Sequence, residues 1–356
     1  MHFLFAIQAF FGHSKWASPL NWEWDKCYPC CYVITFDCEL RMKSVFVIVL
    51  AALISVNVQA KVVVATSIKP VSMVVSAFGG DKIKVAQIVS NSASPHDFAL
   101  RPSDIKKVLK SDLLVWVGEP LEPFLEKPIL NSQHANSAIE WMSLLPAEIH
   151  QDLALNDKHE VHEEHEEHEE HEEHEEHEGH NHDGLDPHVW LDMDNAVLLA
   201  QAVAQALIEI APENTSYFKQ NLARFEQVLT VLDQENKQQL APLSELNYVV
   251  FHDGYGYFED HYGLAHTANI SLSPERKPGA KRVVAIRGLI QSNQIECIFS
   301  EVQFNPAIVN SLVEGTEVKV VELDPLGSNI KLDFDAYPAF MRQMTKDFLA
   351  CQSASL

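Results

Sequence analysis

Histidine recurs at every third position of a glutamate-rich stretch, from His159 to His180, and His182 follows. Residues 159–182 are called the His/Glu segment below, and its histidines are His159, His162, His165, His168, His171, His174, His177, His180 and His182. Imidazole is a common zinc ligand, and the interleaved glutamates would concentrate cations. Without an apolar face, the segment is predicted to be disordered in the absence of metal and to bind metal weakly at many points. A solvated acidic loop without a metal role is the alternative.

Four other residues that could bind a metal lie in short motifs, most of them at predicted strand ends. His96 occurs in SASPHDFALRPSD, His188 in DPHVWLD, His252 ends YVVFHD and Asp324 ends VVELD. Ligands in open α/β sheets bind beyond the carboxyl ends of the strands, where three of the four residues are predicted to lie. Three neutral imidazoles with a carboxylate or water form a tetrahedral set suited to Zn²⁺, whereas Mn²⁺ prefers more oxygen.

The elements that must position these side chains alternate between apolar runs and helical patterns. KVVVATSI, KIKVAQIV and DLLVWVG are rich in Val and Ile and predict buried strands, with a helical pattern at 102–110. The same alternation returns after residue 246 in NYVVFHD, ECIFSEVQF and VKVVELD. The sequence therefore predicts an α/β fold with two lobes, each built on a mostly parallel sheet.

A continuous helical pattern separates the two predicted lobes. Residues 61–211 are predicted to form the N-terminal lobe, 212–241 a linking helix and 242–356 the C-terminal lobe. At 1.5 Å per residue, a helix of about 28 residues would reach roughly 40 Å, the height of two lobes. Such a rigid connection would limit how far the lobes can hinge.

Charge and the N-terminal region restrict the class of protein. The net charge of −24 argues against nucleic-acid binding. Residues 42–60 read as a cleavable secretory signal that begins at Met42, with an apolar run that is short for a membrane span. No cysteine follows that run to carry a lipid, so a free periplasmic protein without a stable membrane anchor is expected. Residues 1–41 are interpreted as an upstream extension outside the fold.

Two cysteines, Cys297 and Cys351, remain in the predicted mature chain. In an oxidising compartment such a pair is more often a disulfide than two free thiols. Closing a loop of about 54 residues would contribute roughly 4 kcal/mol in the chain-entropy model. Two buried thiols are the alternative.

Taken together, the motifs SASPHDFALRPSD, LDPHVWLD, FHDGYGYFED and ELDPLG resemble those of the periplasmic metal-binding proteins of ABC transporters. The chain is most similar to the zinc-binding component of high-affinity zinc uptake, in order and over the whole predicted mature chain. The resemblance implies two lobes bridged by one long helix, with the metal in the cleft between them. It implies His96 and His188 as ligands from the first lobe and His252 from the second. Asp324 matches a position where manganese-binding relatives place a carboxylate, although zinc-binding relatives can leave it to water or another acidic group.

The third histidine favours zinc, because manganese-binding relatives have a glutamate in place of His252. The predicted function is capture of Zn²⁺, the transported ligand, by a monomer that passes it to an integral-membrane permease driven by a cytoplasmic ATPase. Capture of manganese or another divalent metal is the alternative within the same class. A zinc hydrolase is the enzyme alternative, since three histidines with an open position can activate water. Glu301 is the nearby acid, expected instead to orient a ligand.

A metal-buffering adhesin that acts through the His/Glu segment is a further alternative. The remaining histidines after the signal lack a comparable motif: His134, His150, His261 and His266. We expect these four to be surface or packing residues.

Overall fold

Two four-stranded parallel sheets organise the protein, which we describe from a computed structural model. The structure describes residues 60–146, 185–271, 278–292 and 294–352. These residues belong to one compact unit that begins at Ala60. The predicted N-terminal extension, the signal and the His/Glu segment lie outside the described residues.

The first sheet has the strand order β2-β1-β3-β4, and each paired strand is parallel to its neighbour. Its strands are Val62–Thr66 (β1), Ile83–Gln87 (β2), Leu113–Trp116 (β3) and Ile139–Glu140 (β4). The helices of this lobe are Lys69–Ser76 (α1), Pro102–Lys110 (α2), Pro123–Leu130 (α3) and Met193–Ile210 (α4). α4 is long and apolar enough to cross a membrane. Its Leu199, Val203 and Leu207 are buried in the protein, which is the pattern of a core helix.

The linking helix α5 spans Thr215–Leu240 and follows a 3₁₀ turn at Pro212–Asn214. At 1.5 Å per residue its 26 residues extend about 39 Å. Phe218, Phe225 and Leu229 are buried on one face, which packs against α4 and against the last helix of the chain.

The second sheet repeats the design with the strand order β6-β5-β7-β8, again all parallel. Its strands are Tyr248–His252 (β5), Ala268–Ser271 (β6), Cys297–Glu301 (β7) and Lys319–Leu323 (β8). Its helices are Gly256–Tyr262 (α6), Ala280–Gln291 (α7), Ala307–Val313 (α8) and Ala336–Ala350 (α9). The predicted α/β class with two parallel sheets is confirmed. β4 and β6 were not predicted from the sequence, because β4 has only two residues and β6 contains Asn269 and Ser271.

The larger of two hydrophobic core clusters in the described residues extends through both lobes, and the smaller one lies within the second lobe. At one junction Met73 of α1 lies against the loop after β8 and against Phe340 of α9. A Cβ on Gly327 would lie 2.5 Å from Met73 Cε, and the φ angle of this residue is 59°, so the position requires glycine. The lobes therefore meet over packed side chains as well as through the linking helix.

The predicted disulfide is present between Cys297 and Cys351, whose Cα atoms are 5.7 Å apart. It joins the first residue of β7 to the residue after α9. The last helix is thereby tied covalently to the second sheet.

Candidate metal centre

Three histidines from different parts of the chain converge between the lobes. His252 is the last residue of β5, His188 precedes a 3₁₀ turn at Val189–Leu191, and His96 lies in the loop after β2. One ring nitrogen from each lies within 4.8 Å of the other two. The ring centroids are 5.0 to 5.8 Å apart. The described residues thus bring together the three histidines that the sequence singled out.

His252 is oriented by the neighbouring strand. Tyr248 and Cys297 are register partners, so the residues four positions further along, His252 and Glu301, lie side by side at the strand ends. The Nδ1 atom of His252 is 2.6 Å from Glu301 Oε1, while its Nε2 atom is 3.1 Å from His188 Nε2. Burial lowers the pKa of His252, but the Glu301 carboxylate raises this pKa more, so it lies above 6.5. The carboxylate thus leaves Nε2 facing the other histidines.

His188 has its own carboxylate partner, which the sequence analysis missed. Its Nδ1 atom is 2.6 Å from Asp186 Oδ1, and its backbone N–H donates to the same oxygen at 2.9 Å. Asp186 therefore holds the ring with Nε2 toward the centre. The signal was available in the motif, because an acidic residue two positions before a histidine can bond both to its backbone and to its ring.

His96 is a neutral imidazole at physiological pH. Burial, followed by the proximity of His188 and His252, lowers its pKa to about 2. A neutral imidazole keeps one nitrogen lone pair for a metal. Since each ring offers one nitrogen to the same small space, one cation could be bound by all three.

Asp324 is not among the ligand atoms that converge. Its Oδ2 accepts a hydrogen bond from Ser328 N at 2.6 Å, and its Oδ1 accepts from Leu326 N at 3.3 Å and from Gln303 Nε2 at 3.0 Å. These bonds order the turn after β8. The expectation that Asp324 fills the fourth position of the site is therefore not supported, because its oxygens are engaged by the turn that follows it.

The comparisons with known proteins agree with this architecture. Residues 64–351 match the family ZnuA, described as zinc-uptake complex component A, periplasmic. This chain belongs to the ZnuA family. It is 36% identical over 294 residues to the high-affinity zinc uptake system protein ZnuA of Yersinia pestis, covering 82% of this chain and 92% of that protein. It is 39% identical over 300 residues to ZnuA of Haemophilus ducreyi, covering 84% and 96%.

Among solved structures, the ZnuA-family chain is similar in fold to the periplasmic zinc binding protein TroA from Treponema pallidum. The TM-score is 0.64 at 18% identity, over 82% of this chain and 99% of that one. This likeness supports the two-lobed fold. The family resemblance predicted from the four motifs is confirmed by the family match.

The pocket of this ZnuA-family chain draws on both lobes. Besides the three histidines, Trp190 lines it from the first lobe. Glu301, Gln303, Phe304 and Leu326 line it from the second. The mixture of converging nitrogens with an apolar wall favours a small cation over an extended organic ligand.

The other histidines have structural partners. His134 is buried and its Nε2 lies 3.0 Å from Ser111 Oγ, and His266 Nδ1 lies 2.8 Å from Glu259 Oε2. His261 lies between Asp192, at 3.0 Å, and Asp233, at 2.6 Å, through its two ring nitrogens. His150 lies outside the described residues.

His261, Asp192 and Asp194 also have ligand atoms within 4.8 Å of one another. Burial lowers the pKa of His261, but hydrogen bonds and charge from Asp192 and Asp233 raise it more, to about 9. His261 is thus an imidazolium, and its own positive charge balances the carboxylates of this second group. Both its ring nitrogens face carboxylates, Asp192 and Asp233, so this second group is an ion-pair cluster.

Proposed function

We propose that this protein captures Zn²⁺ between its two lobes in the periplasm and delivers it to the membrane permease of an ABC-type zinc uptake system. The observation that supports this most is the convergence of His96 and His188 from the first lobe with His252 from the second. Because the three ligands come from both lobes, tight metal binding requires the two lobes to be correctly positioned relative to each other. Loss of tight binding would therefore reveal a change in the arrangement of the lobes.

Zinc is favoured over manganese by the type of donor atom. The convergent atoms are imidazole nitrogens, and Asp324, the oxygen ligand considered from the sequence, is engaged in a turn. Zinc accepts three nitrogens and one further ligand at about 2.0–2.1 Å, whereas manganese prefers a set richer in oxygen. The names of the similar proteins, which refer to zinc uptake, support the same choice.

We assign transport and no catalysis to this site. A zinc hydrolase would need an acid or base free to move a proton, and Glu301 instead pairs with His252 Nδ1 at 2.6 Å. Hydrolysis of ordinary ester or peptide substrates that is lost in Glu301→Gln would contradict this assignment.

The remaining proposals concern the whole protein. We propose a monomer without a lipid anchor, exported by the signal at 42–60 and working with a permease and its cytoplasmic ATPase. The His/Glu segment would add weak zinc sites that do not replace the site between the lobes. Residues 1–41 would not belong to the working protein.

Calorimetric titration with Zn²⁺ and Mn²⁺ tests the site directly. The chain from Lys61, with and without residues 159–182, should show one tight zinc site that survives the deletion, and weaker sites that vanish with it. His96→Ala, His188→Ala or His252→Ala should abolish tight binding, whereas His134→Gln, which removes a buried imidazole elsewhere, should retain it. Loss of all tight binding on deleting 159–182 would refute the proposed site.

Growth in zinc-poor medium tests delivery. Restoring the gene should rescue growth only in cells that also have the permease and the ATPase. Rescue without the permease would favour a metal buffer or adhesin that acts through the His/Glu segment.

A further inference from the structure

Gln303 lines the pocket beside the three histidines. Its side-chain carbonyl oxygen, Oε1, is buried and accepts no hydrogen bond from the part of the chain that the structure describes. Buried carbonyl oxygens in folded proteins nearly always accept a hydrogen bond from protein or ordered water. This atom can therefore accept a hydrogen bond from a water molecule or from a group that comes with the ligand.

The direction of the amide is set by its chemistry. Gln303 Nε2 is 3.0 Å from Asp324 Oδ1. An ionised carboxylate only accepts, so the amino end of the amide must face Asp324 and the carbonyl end must face away from it. Asp324 is itself held by the backbone N–H groups of Ser328 and Leu326. The orientation of Oε1 is thus determined by an ordered turn.

A turn after β7 brings this residue to the pocket. Glu301 is the last residue of β7, and Phe304 N donates to Glu301 O at 3.2 Å, which closes a turn around Val302 and Gln303. Both Glu301 and Gln303 line the pocket, whereas Val302 between them is 41% exposed. The end of β7 and the turn after it thus supply one residue that orients His252 and another whose side chain lines the same pocket.

Three histidines leave one position of a tetrahedral zinc ion to be filled. Water is the usual fourth ligand where protein supplies three, and a metal-bound water is a strong hydrogen-bond donor. We propose that Gln303 Oε1 accepts a hydrogen bond from the water that occupies the fourth position on bound Zn²⁺, with Asp324 setting the orientation of the amide. This inference rests on the proposed function and assigns Gln303 and Asp324 as positioning residues of that site.

A neutral acceptor suits a protein that must release its ion. A carboxylate bound directly to zinc would add a charge that holds the ion more strongly, whereas a water held by an amide can exchange. In this arrangement Asp324 does not contact the metal. Its negative charge acts indirectly, by holding the amide of Gln303 in one orientation. Its conservative replacement, Asp324→Asn, would let the amide rotate and turn its amino group toward the cation.

The test compares Gln303→Leu with a matched control in the full mature chain. Gln343 also donates through Nε2 to a carboxylate, Asp347 Oδ1 at 2.8 Å, but on the exposed surface of α9, so Gln343→Leu removes an equivalent pair away from the pocket. Competition with a zinc chelator should show about 10- to 150-fold weaker binding for Gln303→Leu, the range of a lost hydrogen bond to a charged group. The visible spectrum of bound Co²⁺ should also change. Gln343→Leu should alter neither. Gln303→Met serves as a second variant if Gln303→Leu folds poorly.

The role of Asp324 is tested by a double-mutant cycle. Asp324→Asn should weaken zinc binding in the wild-type background and have less than about a twofold further effect with Gln303→Leu, because coupled residues are non-additive. Additive losses would overturn the proposed connection. Unchanged zinc affinity and cobalt spectrum in Gln303→Leu would overturn the role of Gln303.

A crystal structure of the zinc-bound protein decides how the oxygen acts. A water between the ion and Oε1 would support the proposal, and a direct bond of about 2.0–2.2 Å would overturn it. If the wild-type chain showed no tight zinc site at all, the proposed function itself would fail. That result is distinct from a wild-type site that is insensitive to Gln303.

Discussion

At the scale of single residues, the site depends on pairs in which a carboxylate orients an imidazole. Asp186 holds His188 and Glu301 holds His252, each through Nδ1 at 2.6 Å. The pairing leaves the Nε2 atoms facing each other at 3.1 Å. Such partners raise ligand basicity and remove the entropy cost of orienting the ring on binding.

Asp186→Asn should weaken zinc binding about tenfold or more, the usual cost of losing a carboxylate behind a metal-bound histidine. Chelator competition measures the change, with the exposed Asp81→Asn as the control for losing one negative charge. Equal affinity of both variants would show that Asp186 serves only the loop conformation.

A second residue-scale prediction concerns Glu122, which is buried in the first lobe. Its Oε2 accepts from Val117 N at 2.8 Å, and burial raises the pKa of its carboxyl group to about 7. Because the folded state holds this proton more tightly than the unfolded state does, the contribution of Glu122 to stability declines as pH rises from about 4.5 to about 7. Glu122→Gln should therefore stabilise the protein by about 3 kcal/mol at pH 8 and by little at pH 4.5. Thermal melting at both pH values measures this, and equal effects at both would contradict the assignment.

At the scale of elements, the start of α4, the linking helix and α6 meet at one ion-pair cluster. Asp192 caps α4 by accepting from Asp194 N at 2.6 Å, and its other oxygen contacts His261 of α6. Asp233 of the linking helix contacts the second nitrogen of His261. One imidazolium thus connects the second lobe to the first lobe and to the helix between them.

Replacing His261 should lower stability in a pH-dependent manner. The raised pKa, about 9, means that the imidazolium contributes fully below its ordinary pKa of 6.5 and that the contribution is lost as pH rises through 9. The melting temperature of His261→Gln should therefore fall furthest below wild type near pH 6, and the gap should close near pH 10. A gap that does not change with pH would assign His261 to packing alone.

At the scale of the whole molecule, the lobes are joined by more than the linking helix. Trp190 Nε1 donates to Pro325 O at 2.8 Å, and Tyr337 OH donates to Trp190 O at 2.9 Å. Asn91 and Ser328 exchange hydrogen bonds at 2.9 Å on the rim. With the core shared between lobes, these contacts disfavour a wide hinge opening.

Zinc should therefore change the overall shape little. For the chain from Lys61 lacking residues 159–182, small-angle scattering should give a radius of gyration of roughly 18–19 Å, with a shift below about 0.5 Å on adding zinc. Adding Mg²⁺, which imidazole nitrogens bind poorly, is the matched control. A decrease of more than about 1 Å with zinc alone would indicate hinge closure and contradict this expectation.

The sequence by itself determined the fold class and the family, because apolar runs of strand length alternate with helical patterns and four ordered motifs carry the likeness. It also indicated the disulfide, since two cysteines remained in a predicted exported chain. It did not determine which carboxylates serve the site. Asp324 was predicted as a less certain fourth ligand because it ends a strand and matches a carboxylate position of manganese-binding relatives, whereas Asp186 was overlooked.

Only the tertiary structure decided what surrounds Asp324, for a physical reason. Whether a carboxylate faces a metal depends on which backbone N–H groups and amides engage it first, and for Asp324 these include Gln303, 21 residues away. The bridging position of His261 likewise depends on Asp192, 69 residues away. Contacts between such distant segments are set by the packing of the two lobes, which local sequence patterns do not encode.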